Sequence, residues 1–243
     1  MRIDYQHVDI IQEGHPILAD VCFQADAGEL VYLVGKVGTG KSSLLKTFYG
    51  ELDVRTGSAK VLDYEMTKIK RKQIPALRKQ LGIVFQDFQL LNDRDVHGNL
   101  DFVLRATGWK KRKEREKRIT EVLEQVGMAD KLDKMPYQLS GGEQQCVCIA
   151  RAILNHPDII LADEATGNLD RENSRRTAAL LHGICKAGTT VVMSTHDESL
   201  IPEFPGVVYR CGDGRLQECT DAYGLAAVPQ EIESKSIEEN ENN

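Results

Sequence analysis

Long apolar runs are missing from this sequence. No stretch approaches the ~20 consecutive apolar residues that cross a bilayer, and the opening residues, Met1-Arg2-Ile3-Asp4-Tyr5, contain no apolar signal region. No segment is expected to span a membrane, so any membrane role works through a partner. Paired cysteines are missing as well. The six cysteines (Cys22, Cys146, Cys148, Cys185, Cys211 and Cys219) are scattered, and Cys146-Val147-Cys148 has neither zinc-pair nor redox spacing. Reduced thiols in a cytosolic protein are therefore expected. A positive charge excess is also lacking: the formal net charge is −6, which argues against broad nucleic-acid binding while leaving room for a local basic patch. Nor does an internal repeat emerge. What remains, 41% hydrophobic and 28% charged residues in a chain of 243, suits a globular protein with one substantial core and an attached subdomain.

The most informative stretch is Gly35-Lys36-Val37-Gly38-Thr39-Gly40-Lys41-Ser42. Its spacing is that of a phosphate-binding loop, in which glycines let successive backbone N–H groups curl around phosphates and a lysine supplies matching charge. Leu30 to Val34 reads as a buried strand, and Lys41 to Tyr49 has apolar residues at helical spacing. The helix N-terminus then faces bound anion.

Before this loop, Ile3 to Val8 and Val21 to Ala25 read as strands, separated by the turn-like Glu13-Gly14-His15-Pro16. After it, Thr56-Gly57-Ser58 is a turn, Ala59 to Leu62 a strand, and Leu81 to Phe85 an apolar run ending at Gln86-Asp87. Between Val96 and Leu154 the period becomes helical, with Val96, Leu100, Val103 and Leu104 on one face and Ile119, Val122, Leu123 and Val126 on another. The basic run from Lys110 to Arg118 is interrupted by glutamates and reads as a solvated helix face. Strand patterns return at Ile159 to Ala162, at Thr190 to Met193 after a helix from about Arg171 to Cys185, and at Val207 to Tyr209. Strands alternating with helices predict an α/β fold with a mainly parallel sheet covered on both faces. Beyond about Cys219 the chain turns acidic and polar, the composition of a disordered tail.

Two further stretches carry chemistry. Asp163-Glu164 ends the hydrophobic run Ile159-Ile160-Leu161-Ala162, placing two carboxylates where a buried strand emerges. Downstream of a phosphate loop, Asp163 suits a Mg²⁺ ligand shared with the Ser42 hydroxyl, and Glu164 suits the group that orients and polarises an attacking water. In Leu139-Ser140-Gly141-Gly142-Glu143-Gln144-Gln145, Ser140 and Glu143 form a helix-starting capping box. The serine hydroxyl, open first-turn N–H groups and the helix dipole can all face a phosphate. Capping alone gives no reason for the bare Gly141-Gly142 pair.

Together these motifs, with Gln86 and His196, resemble the motif set of the ATP-binding cassette (ABC) ATPases over roughly residues 1 to 218. The resemblance implies a P-loop NTPase fold with an N-terminal antiparallel β subdomain. The nucleotide-binding core would comprise residues 1–91 and 156–218, the helical signature subdomain residues 92–155, and the tail residues 219–243. It implies ATP and Mg²⁺ as ligands and a head-to-tail homodimer sandwiching two ATP molecules. One subunit would hold ATP through Gly35, Lys36, Val37, Gly38, Thr39, Gly40, Lys41, Ser42 and Ser43, and the other through Ser140, Gly141, Gly142 and Gln144. Gln86 resembles the glutamine that senses Mg²⁺ and γ-phosphate and links them to a membrane partner; Mg²⁺ would thus lie among Ser42, Gln86 and Asp163. Gly167-Asn168-Leu169-Asp170 resembles the loop that crosses the dimer interface, and His196 resembles the switch histidine. With Glu164, Gln86 and His196 make the expected catalytic set.

The sequence departs from the pattern in three ways: Ile11 and Gln12 stand where an adenine-stacking aromatic is expected, Cys146 replaces an arginine and Ala165 replaces a proline. Within the family, the run from Val84 to Val96 with Asn99, and Gly167 to Asp170, resemble the bacterial cell-division ATPases called FtsE. That resemblance implies a membrane partner like FtsX, engaged through the surface after Gln86. It also implies a place on the cytoplasmic face of the inner membrane and a role in peptidoglycan hydrolase control. The rival readings are a lipoprotein-release or macrolide-type exporter, a soluble DNA-repair or chromosome ATPase, and a module that binds ATP without hydrolysing it.

Overall fold

The structure is a computed structural model and describes residues 1–224. Two sheets and a helical unit stack around two apolar cores. The first sheet is antiparallel, in the order β2-β1-β4-β5, from β1 (Ile3–Gln12), β2 (His15–Ala25), β4 (Ser58–Val61) and β5 (Tyr64–Glu65). The turn between β1 and β2 is tighter than the sequence suggests. Only Glu13-Gly14 turn, while His15 and Pro16 already belong to β2. Proline is tolerated there because β2 is an edge strand of this sheet.

The second sheet has the order β10-β9-β3-β8-β7-β6, from β3 (Leu30–Val34), β6 (Leu81–Val84), β7 (Ile159–Asp163), β8 (Thr190–Thr195), β9 (Val207–Gly212) and β10 (Arg215–Glu218). All its pairings are parallel except β9 with β10. Successive residues of a strand point to opposite faces, and both faces are covered. Tyr32, Val34, Ile160, Ala162, Val191 and Met193 join the core beneath the helical unit. Val31, Leu33, Ile159, Leu161 and Val192 join the core shared with the antiparallel sheet and α1 (Lys41–Phe48). Burial on both sides explains why these strands read as unbroken apolar runs. Phe48 anchors the second core, its ring 5.1 Å from those of Tyr5 and Phe23.

The helical unit contains α3 (Val96–Thr107), α4 (Arg112–Gln125) and α5 (Gly141–Ile153). Asp95 caps α3 by accepting the Gly98 N–H at 2.6 Å. Its α4 corrects the reading of the basic run as a wholly solvated face, because Arg115 and Arg118 are only 7% and 9% exposed. Arg115 pairs with Asp101 of α3 at 2.5 Å, and Arg118 donates to the carbonyls of Ile153 (2.6 Å) and Leu154 (2.9 Å) at the end of α5. Carbonyls at a helix C-terminus lack intrahelical partners, so these cations fasten three helices together. The remaining helices are α6 (Arg171–Lys186) and α2 (Ile74–Lys79), a short helix with Pro75 in its first turn that the apolar pattern did not mark.

The first residues of the expected tail are ordered. Residues Thr220–Tyr223 form a 3₁₀ turn in which buried Thr220 accepts the Val208 N–H at 3.0 Å. The Tyr223 hydroxyl meets the carboxylate of Glu198 and accepts from Arg210. The rest of the expected tail, 225–243, lies outside the described residues.

Candidate functional site

The phosphate loop, Gln86, Asp163, Glu164 and His196 gather at the C-terminal ends of β3, β6, β7 and β8. Val34 leads directly into the phosphate loop, which passes into α1 at Lys41. Gly35 has φ 141°, and a Cβ there would lie 2.3 Å from the Cys211 carbonyl oxygen, so only glycine lets the loop turn against β9. Gly40 begins α1 without a capping side chain, and the first intrahelical bond is Leu44 N–H to the Gly40 carbonyl at 2.9 Å. The N–H groups of the first turn thus have no partner within the helix, the condition that suits a helix end to phosphate oxygens. Lys41, 3% exposed, points its ammonium into the loop and donates to the Gly35 (2.8 Å) and Lys36 (3.1 Å) carbonyls. Ser43 donates to Gln12 Oε1 at 2.9 Å, drawing the end of β1 against the loop.

Asp163, the last residue of β7, is the hub beside it. Its Oδ1 accepts from Ser42 at 2.9 Å and from Ser194 at 2.7 Å. Ser194 Oγ also accepts the Glu164 N–H at 2.9 Å, so one hydroxyl fixes both acids. The sequence reading passed over Ser194, although its place at the end of a buried strand just before His196 was visible. Glu164 has φ 46°, a left-handed conformation uncommon outside glycine. Its carboxylate, 11% exposed, lies between two cationic-capable groups: Lys41 Nζ at 3.4 Å from Oε1 and His196 Nδ1 at 3.7 Å from Oε2. His196 is 51% exposed and opens towards solvent. Gln86, just past β6, lines a cleft of about 260 Å³ with Ile17, Lys41, Ser42, Ser43 and Glu164.

A larger cleft of about 810 Å³, edged by Asp9, Glu51, Arg55, Arg71 and Arg78, contains none of the predicted site residues. The smaller one is the better candidate because convergent polar groups, not volume, define a site. The Ser42 hydroxyl that lines it donates to the Asp163 carboxylate at 2.9 Å, giving an oxygen-rich pair beside the cleft. Among the described residues no group of 3 or more His, Cys, Asp or Glu is arranged to hold a metal. Such a site fits Mg²⁺, which binds through one or two carboxylates together with substrate phosphates.

The other predicted phosphate contact lies on α5. The capping box is present: Ser140 Oγ accepts the Glu143 N–H at 3.3 Å, and Glu143 accepts the Ser140 N–H at 2.8 Å. That backbone N–H and the Lys131 ammonium hold the Glu143 carboxyl below its ordinary range. Gln144 donates back to the Leu139 carbonyl at 3.2 Å. Gly142 has a reason within the chain that capping does not supply. A Cβ at Gly142 would lie 2.3 Å from Asn173 Oδ1. Asn173 is in turn tied to Asp170, which accepts its backbone N–H at 2.9 Å and its side-chain amide at 2.6 Å. These bonds depress the Asp170 carboxyl, the backbone N–H of Asn173 foremost. Among the described residues, no hydrogen bond or ion pair joins Ser140, Gly141, Gly142 or Gln144 to the phosphate loop.

At the departures from the family pattern, Ile11 is exposed, and Cys146 and Ala165 are buried in apolar surroundings. None of the three touches Lys41, Asp163 or Glu164 through a hydrogen bond.

Residues 18–167 match the ABC transporter family. The chain is 40% identical over 230 residues to the cell division ATP-binding protein FtsE of Mycobacterium tuberculosis, covering 93% of this chain and 99% of the relative. It is 42% identical over 199 residues to the FtsE of Bacillus subtilis, covering 81% and 87%. Among solved structures, the ATP-binding cassette MJ0796, described as a dimer in a post-hydrolysis state bound to ADP and Pi, is 29% identical. It superposes with a TM-score of 0.79 over 89% of this chain and 97% of that one. With strand ends, loop and paired acids arranged as above, this chain belongs to the ABC transporter family of ATP-binding proteins.

Proposed function

We infer that this protein is an ATPase of the FtsE kind, the nucleotide-hydrolysing subunit of a membrane complex in cell division. The observation that carries the reading is the position of Glu164, held between Lys41 and His196 at the mouth of the phosphate-loop cleft and one residue from Asp163. In this reading, the N–H groups of Gly38 to Ser43 and the Lys41 ammonium bind the β- and γ-phosphates. Ser42, Asp163 and Gln86 would hold Mg²⁺, which supplies charge that offsets the negative phosphate oxygens. Glu164 accepts a hydrogen bond from the attacking water and receives its proton as the new O–P bond forms in line with the bond to ADP that breaks. His196, sharing the Glu164 carboxylate, contacts the γ-phosphate.

Ser140, Gly141, Gly142 and Gln144 complete the site of a second copy, with Asp170 at the interface between the two. The dimeric description of MJ0796 supports this assembly. No helix among the described residues is long and apolar enough to cross a membrane, so attachment falls to a membrane partner, an FtsX-like protein bound on the surface after Gln86. The protein would act at the cytoplasmic face of the inner membrane, and ATP-driven closure of the dimer would move that partner.

Steady-state phosphate release by wild type and Glu164→Gln tests the enzyme, with hydrolysis in the first and nearly none in the second. Hydrolysis in neither would leave a binding module, and equal hydrolysis in both would remove Glu164 from its role. Affinity capture from detergent extract tests the partner: recovery of an FtsX-like membrane protein supports the cell-division role, and an exporter subunit or a DNA-associated protein in its place would transfer the enzyme to another complex.

A further inference from the structure

The segment after Gln86 is held in a conformation that its residues disfavour. Phe88 and Gln89, neither of them glycine, have φ of 60° and 49°. Cβ crowds the following carbonyl in this left-handed region, and two such residues in succession persist only where their surroundings fix them.

The fixing groups come from α5. Arg151 donates through Nη1 to the Gln89 carbonyl at 2.5 Å and through Nη2 to the Phe88 carbonyl at 2.7 Å. Cys148, one turn earlier on the same helix, donates its thiol to the Phe88 carbonyl at 3.1 Å. Three residues apart, these two side chains share a helix face. Burial pushes the Cys148 thiol up to about 12, so it stays protonated and able to donate. From a second element, the loop before α6, Asn168 donates to the Gln86 carbonyl at 3.1 Å. The backbone from Gln86 to Gln89 is thus clamped by α5, which Ser140 caps, and by the loop that ends at Asp170. None of Arg151, Cys148 and Asn168 lines the phosphate-loop cleft.

We propose that Arg151 is a positioning residue: by bridging the carbonyls of Phe88 and Gln89 it fixes how Gln86 enters the phosphate-loop cleft, and couples that entry to the helix carrying Ser140. The planar guanidinium suits the task because its donors form a rigid fork, whereas a lysine ammonium is a point charge on a flexible stem. Displacement of the 87–91 segment by a partner would be passed to α5 through this fork. The proposal rests on the reading of Gln86 as a contact to Mg²⁺ and γ-phosphate.

The test measures ATP hydrolysis against Mg²⁺ concentration at saturating ATP for wild type, Glu164→Gln, Arg151→Met, Arg151→Lys and the double variants of each Arg151 change with Gln89→Gly. Affinity for a fluorescent ADP without divalent cation and the thermal midpoint are read alongside. Arg151→Met is expected to lower kcat and raise the half-saturating Mg²⁺ concentration, each by about tenfold, as misplacement of a positioning contact does. Arg151→Lys should come close to it, with ADP affinity unchanged. Gln89→Gly should return more than half of the lost kcat, since glycine enters the left-handed region freely. Should Arg151→Met not fold, the lysine variant and its double carry the same comparison. A wild type whose hydrolysis ignores Mg²⁺ or Glu164→Gln refutes the site reading itself. Hydrolysis that behaves as expected in wild type, with an unmoved Mg²⁺ curve in the Arg151 variants or a loss that Gln89→Gly does not recover, would overturn the positioning role alone.

Discussion

The two polar ends of this molecule are built on different principles. At the phosphate loop, the chemistry hangs from strand ends inside one sheet, and each group already has a partner in the chain: Lys41 with loop carbonyls, Asp163 with two serines, Glu164 with Lys41 and His196. At the start of α5, Ser140 is exposed, and its position is set by local bonds: the capping box with Glu143, the Lys131 ion pair of Glu143 and the Gln144 bond to the Leu139 carbonyl. Parallel strands hold neighbouring side chains in register at a fixed spacing, so a site on their ends is preorganised within one chain. A helix tip presents donors outward and is suited to completing a site elsewhere.

The largest effect that sharpens this contrast is expected at the sheet end. Glu164→Gln should lower kcat by about 10²–10⁴-fold, the range of a positioned general base, with nucleotide affinity kept. Phosphate-release kinetics beside equilibrium nucleotide binding measures it. The tip should behave in the opposite sense, as a part that matters only between copies. In Gly142→Ala the new methyl displaces Asn173 from Asp170, and dimer-dependent hydrolysis should fall on the order of tenfold or more as donors move out of place. Affinity of a single chain for nucleotide should be unaltered. Adding Asn173→Ala makes room for the methyl, and recovery of rate in that double variant separates crowding from loss of glycine as such.

A third change compares the foundations of the two ends. Arg118→Met removes the donor to the Ile153 and Leu154 carbonyls and should destabilise the helical unit by about 1.5–3 kcal/mol, the usual worth of charged hydrogen bonds. Denaturant unfolding gives the value. At the far side of the phosphate loop, Ile11→Tyr would place a ring where none now stands, with a gain of about 0.5–1.5 kcal/mol in ATP affinity if it stacks on the base, readable by calorimetry.

The smallest effect is one of pH. Because the Ser140 N–H and Lys131 depress the Glu143 carboxyl, its contribution is complete above the ordinary glutamate range and is lost as pH falls through the lower folded value. Amide protection in the first turn of α5, measured relative to the intrinsic exchange rate at each pH, should fall on acidification before that of β3 does.

Much of this architecture was legible in residue order. The β3, β7 and β8 runs announced buried parallel strands, and the loop from Gly35 to Ser42 announced its own turn and helix. Other features were hidden because they depend on contacts between distant residues. The glutamates around Arg115 and Arg118 suggested a wet helix face, yet the binding groups of these arginines are Asp101 and the carbonyls at the end of α5. The Asn173 that requires glycine at 142 lies 31 positions away. In residue order Ser194 is one more small strand residue, yet it bonds to both Asp163 and Glu164.

Local order sufficed for the phosphate loop and the capped helix tip, since both are made by backbone N–H groups and glycines within a few residues of one another, where chain geometry leaves few alternatives. Folding alone decided which hydroxyl steadies the paired acids, which cations are buried, and that Arg151 bridges the carbonyls after Gln86. Each of these needs groups far apart in the chain to meet within about 3 Å, the reach of a hydrogen bond, and only the packing of sheet against helices brings them that close.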